Sequence, residues 1–158
     1  VDRRFSFSGN RAIMSQHAET RLLPFTPQQM YALVADIGAY PSFLPWCQAA
    51  RVRALGDNEL EAELVVGVKA ARVAFPSRVR LTPFERIVSV GAGGALERLE
   101  SVWIFTPEGA GCRVAYRVDF SVRSRVMGKV VEALFETAFR KTIEAFEARA
   151  LSLYGAVK

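Results

Sequence analysis

The 158-residue chain contains a single histidine, His17, and only two cysteines, Cys47 and Cys112. Each shortage excludes a class of chemistry. A histidine triad or relay would have to pass through His17, on the first strand-like run and far in sequence from both thiols. The thiols form no CxxC pair, so a closed zinc site would need carboxylates for which no spacing argues, and no metal is expected. A disulfide is not indicated, and a reducing compartment is the simpler reading. Long apolar runs are also missing: none approaches the roughly 20 residues of a membrane-spanning helix. Residues 1–16 carry arginines without the apolar core of a secretory signal, so export is not expected. Residues 1–15 read as a disordered leader and 16–156 as one domain.

What is present is apolar and basic. Hydrophobic residues make up 51% of the chain, with a mean hydropathy of +0.14. A chain of this length buries a real core and has room for a cavity in it. The net charge of +5 and pI near 9.6, mostly from arginine, favour contact with something anionic.

The last long segment, 124–153, has helical periodicity. Met127, Val131, Leu134, Phe135, Ala138, Phe139, Thr142, Phe146 and Leu153 share one half of the cylinder, while Glu136, Arg140, Lys141, Glu144 and Glu147 share the other. Ser124 is a candidate N-cap and Gly155 a candidate stop. So wide an apolar face needs a complementary surface, and strand-like runs precede it. His17–Leu23 reads as a strand. Thr26 before Pro27 is an N-cap pattern, and Met30, Tyr31, Leu33, Val34 and Ile37 give a short helix ending near Gly38. In the connector from Tyr40 to Cys47, Pro41 and Pro45 forbid a long regular element while its large apolar side chains demand burial. Asp36 is expected to cap or pin it.

The period then changes to two. A strand around 51–55 turns at Asp57-Asn58 into Glu59–Val66, where Glu59, Glu61 and Glu63 alternate with Leu60, Ala62, Leu64 and Val66. Val73, Phe75, Ser77, Val79 and Leu81 oppose Arg72, Arg78 and Arg80, and Pro76 argues for an edge or a bulge. Residues 86–90 form another strand, followed by a turn at Gly91–Gly94. Leu99, Ser101, Trp103 and Phe105 share a face, as do Cys112, Val114, Tyr116, Val118 and Phe120 opposite Arg113, Arg117 and Asp119. Arg78 faces outward by this alternation, unless the adjacent proline shifts the register. The fold class is α+β: a curved antiparallel sheet of about seven strands wrapped around a long C-terminal helix.

The chain from His17 to Gly155 resembles the coenzyme Q-binding protein family of the START-like (helix-grip) polyketide cyclase superfamily, whose bacterial relatives include RatA-type ribosome-association toxins. The likeness rests on Met30-Tyr31 with Leu33–Ile37, on Tyr40–Cys47, Ser77–Val79, Leu99–Phe105, Asp119-Phe120, and the ending Ala145–Ala150 through Leu153-Tyr154-Gly155. Trp46 after Leu44-Pro45 leans toward the quinone-binding branch, whereas Gly94-Ala95-Leu96 departs from the family's usual Gly-Pro-Phe.

The resemblance implies a carrier or chaperone of an isoprenoid quinone rather than an enzyme. No cofactor is expected, and ubiquinone is the expected bound ligand. It implies a cytoplasmic protein in transient contact with an anionic inner membrane surface. Phe75, Val79, Trp103, Phe105, Tyr116, Phe120, Phe135 and Phe139 are candidate lining residues, and Phe43, Leu44 and Trp46 candidate gate residues. Ordinary core packing accounts for each of these taken singly. What favours a cavity is a long sheet curled around one helix, which rarely closes tightly at both ends. The alternative is ribosome binding through Arg72, Arg80, Arg113 and Arg117. A cyclase or aromatase would need an internal acid or base, for which only Tyr116 is placed.

Overall fold

A computed structural model describes residues 13–68, 71–93, 96–123 and 125–155. Most of the expected leader, the Ser124 cap, Gly94-Ala95 and the side chain of Met127 lie outside the described residues. The chain runs β1 (Ile13–Leu23), α1 (Pro27–Ala35), a 3-10 turn (Ile37–Ser42), β2 (Cys47–Gly56), β3 (Glu59–Val68), β4 (Ala71–Thr82), β5 (Arg86–Gly93), β6 (Leu96–Glu108), β7 (Gly111–Val122) and α2 (Arg125–Tyr154). One seven-stranded antiparallel sheet has the order β1-β7-β6-β5-β4-β3-β2. Its inner face packs against α2, which is the helix-grip arrangement expected from the alternation.

Local chemistry sets the boundaries. Thr26 caps α1: its hydroxyl accepts from the Gln29 N–H at 3.1 Å, and the Gln29 side chain accepts from the Thr26 N–H at 2.9 Å, with Pro27 at the first helical position. Asp36 lies between α1 and the 3-10 turn, but its side chain caps neither; only its backbone carbonyl accepts, from Ala39. The connector is pinned instead by Tyr40, whose buried hydroxyl donates to the Val34 carbonyl and whose ring meets Phe43 and Phe146 edge-on. At the other end of the chain, Gly155 takes φ +79° and returns its N–H to the Leu151 carbonyl, ending α2 where the sequence expects it.

Several expectations need correction. Strand β1 starts at Ile13, inside the stretch read as leader, because Ile13 to Leu23 pair continuously with Val122 to Cys112. Pro76 sits in an interior strand. It is tolerated because the β4–β5 ladder begins only at Ser77–Gly91, beyond which β5 is irregular between Gly91 and Gly93. The glycines from Gly91 to Gly93 therefore belong to a strand and not to a turn. Arg78 keeps its outward register and pairs with Glu59 at 3.0 Å. On α2, Leu153 is 52% exposed: the last turn passes the sheet and meets α1, where Tyr154 donates to the Gln29 carbonyl. The buried face includes Ile143 and Ala150 instead.

The core has two halves. One gathers α1, Trp103, Phe105, Ile143 and Phe146; the other gathers Val66, Phe75, Leu99, Phe120, Val131 and Phe135. Trp46, Leu64 and Tyr116 pack against both.

Candidate ligand cavity

Where the two halves meet, they leave a cavity of about 90 Å³ between the sheet and α2. Its aromatic wall follows from strand register. Trp103 of β6 is the direct partner of Tyr116 on β7, so their rings stack at 4.0 Å. Tyr116 stacks in turn on Phe139 of α2 at 5.2 Å, and Phe146 closes edge-on against Trp103 at 5.2 Å. His17 on β1 extends the series, 5.2 Å from Phe139, with its Nε2 enclosed and unpartnered.

Seven of the eleven expected ligand residues line this space: Trp46, Phe75, Val79, Trp103, Tyr116, Phe135 and Phe139. Phe43, Leu44, Phe105 and Phe120 do not. Leu44 and Phe105 are fully enclosed in the first core half, Phe105 lying edge-on to Tyr31. Phe120 packs on Phe135 in the second half, and Phe43 lies between Phe146 and the Arg149 guanidinium. Period-two alternation assigns a side chain to the inner face of a sheet, but its position along the strand decides between lining and filling.

The sequence reading missed the polar part of the wall. Ser77, Ser89, Ser101 and Thr142 line the cavity beside Tyr116. The Ser89 and Ser101 hydroxyls, brought opposite each other by the β5–β6 register, lie 2.7 Å apart. Ser77 donates to the Ala62 carbonyl at 3.3 Å and Thr142 to the Ala138 carbonyl at 2.6 Å. Their inward alternation was the available signal for Ser77 and Ser101. Burial pushes the Tyr116 phenol well above its ordinary value, with Thr142 partly opposing, so it stays a neutral donor. Among the described residues, none that lines the cavity carries a carboxylate, imidazole, thiol or amine. The wall can desolvate an apolar ring and offer its oxygens the Tyr116 hydroxyl and the second proton of the Ser89–Ser101 pair, those of Ser77 and Thr142 being held by backbone carbonyls.

The outer face carries the four arginines of the alternative reading in two states. Arg113 is paired with Glu108 and Arg117 with Asp119. Arg72 and Arg80 are exposed, with no carboxylate partner among the described residues. No helix among the described residues is long and apolar enough to cross a membrane.

Comparison with known proteins agrees with this geometry. Residues 23–147 match the family described as polyketide cyclase/dehydrase and lipid transport. The chain is 36% identical over 141 residues to the ribosome association toxin RatA of Rickettsia prowazekii, covering 87% of this chain and 97% of that one. It is 30% identical to the mitochondrial coenzyme Q-binding protein COQ10 homolog B of Xenopus laevis, over 89% of this chain but 59% of that protein's length. Among solved structures, an 18 kDa Caulobacter crescentus protein is 35% identical with a TM-score of 0.72, over 90% of this chain and 99% of that one. The Zhui aromatase/cyclase of a Streptomyces species superimposes with a TM-score of 0.80 at 16% identity, over 92% of this chain and all of that one, a likeness of fold. With its helix-gripping sheet and apolar cavity, the chain belongs to the polyketide cyclase/dehydrase and lipid transport family.

Proposed function

We propose that the protein binds the head of a hydrophobic isoprenoid quinone, ubiquinone in the first instance, and carries or chaperones it for respiration or quinone biosynthesis. The observation that carries this reading is the cavity wall: stacked aromatics interleaved with uncharged hydroxyls, and among the described lining residues no ionisable group but tyrosine. A flat ring bearing carbonyl oxygens matches both parts, and catalysis lacks an acid or base suited to neutral pH. Each buried CH₂ of a bound ligand contributes roughly 0.8 kcal/mol, so affinity needs no charged contact.

The test is organic extraction of freshly purified protein followed by mass spectrometry, beside a Phe139→Ala variant that folds. Stoichiometric ubiquinone, reduced in the variant, is expected. A ligand-free extract from folded wild-type protein, with no uptake of added quinone, overturns the reading.

A second reading is favoured by the similarity to RatA proteins and by the exposed Arg72 and Arg80, which have no carboxylate partner among the described residues: association with the ribosome through the outer face. It predicts co-sedimentation with ribosomal subunits that weakens steeply with salt. Arg72→Glu with Arg80→Glu would abolish it and leave the cavity intact.

A further inference from the structure

A cavity of about 90 Å³ accepts a ring-sized group. Sites that enclose a drug-sized ligand run to roughly 300–1,000 Å³. If the ring of an isoprenoid quinone occupies the cavity, as proposed above, its tail must leave through some part of the wall. A second, more open pocket of about 360 Å³ lies against the same wall, bordered by Pro45 and Gln48, by Gly67 of β3, and by Thr137 and Lys141 of α2. Trp46 and Ala138 line both spaces. Another pocket among the described residues, around Leu22 and Cys112, shares no residue with the cavity.

The partition is a side chain on a fixed backbone. The Trp46 carbonyl accepts the Gly67 N–H at 2.8 Å, and the Cys47 N–H donates to the Leu44 carbonyl at 3.0 Å, so the chain on either side of the indole is tied down. No hydrogen bond holds the indole itself, since its Nε1 is enclosed without an acceptor. A buried orphan donor is a standing cost that a ligand oxygen passing this point would relieve. Across the partition, Ala138 offers no more than a methyl group.

We propose that Trp46 and Ala138 form the doorway of the cavity: the ring lies inside beneath the hydroxyls, and the isoprenoid tail passes between them into the outer groove. This rests on the quinone reading, and the experiment separates the two. Binding of a ubiquinone with one isoprenoid unit and of one with many units would be measured by titration in matched detergent micelles. Wild-type protein is compared with a Gln48→Trp/Lys141→Trp variant that fills the outer groove from two exposed positions, its fold checked by thermal melting. The variant is expected to bind the one-unit quinone within about twofold of wild type and the long quinone at least about tenfold more weakly. Trp46→Ala is expected to exchange the long quinone faster. Equal affinity for the long quinone, or an equal loss for both, overturns the doorway. Failure of the wild-type protein to bind either quinone overturns the quinone reading itself.

Discussion

Buried neutral acids are the residues whose environment most constrains solution behaviour. Burial raises the Cys47 thiol from an ordinary 9.0 to about 11, against a smaller opposing effect of a hydrogen bond with the Ala49 backbone, and it raises Cys112, Tyr40 and Tyr116 as well. All four hold their protons more tightly folded than unfolded. Stability from this source is therefore complete below pH 9 and falls as the pH rises through about 11. Urea midpoints measured from pH 7 to 11 should be flat and then drop above pH 9, and Cys47→Ser should lessen the drop. Alkylation of the native protein at pH 8 should be slow at both thiols. None of this was legible in the sequence, which gives a cysteine's spacing but not its enclosure. The same limit separates Phe105, which fills the core, from Trp103, two residues away on the same face, which lines the cavity.

At the scale of elements, the alternation of charged and apolar residues placed most strands and the long helix, because a half-buried strand and an amphipathic helix write their periods into the chain. It failed where backbone approach, not side-chain polarity, was the constraint. Gly91 reads as a turn residue, yet it lies in β5 opposite Ser77. A Cβ there would come within 2.3 Å of the Pro76 carbonyl oxygen and 2.7 Å of the Ser77 Cβ. The two strands can therefore approach only at a glycine. Gly91→Ala should destabilise the fold by about 1–3 kcal/mol, as overpacking does. An Ala substitution at Gly56, where a Cβ meets nothing within 4 Å, should be tolerated in the same urea titration. Pro76 and Gly91 together account for the short β4–β5 ladder, which neither residue alone announces.

For the whole molecule, the connector and its register with α2 were legible only as a demand for burial. The cavity arises because two core halves, each well packed, meet at Trp46, Leu64 and Tyr116 without filling the junction. No local pattern encodes such a junction, since it depends on contacts between elements distant in sequence. The hydroxyl-lined wall likewise comes from cross-strand partners, Ser89 with Ser101, that only the register brings together.

The strand order has a kinetic consequence. From β2 to β7 every neighbour in the sheet is also the next strand in the chain, so this part can zip hairpin by hairpin. Strand β1 departs from that order: Leu23 pairs with Cys112 and Ile13 with Val122, closing a loop that contains α1 and every strand from β2 to β6. Its contacts with α2 join the polar pairs Ser15–Glu132 and Arg21–Glu147 to the ring contact of His17 with Phe139. Docking of β1 should therefore follow the rate-limiting barrier. Leu23→Ala should speed unfolding and leave the refolding limb of the chevron nearly unchanged, while Ile87→Val in the meander should slow refolding. The strand that comes first in the order of the sheet-forming chain would then be the last to find its place.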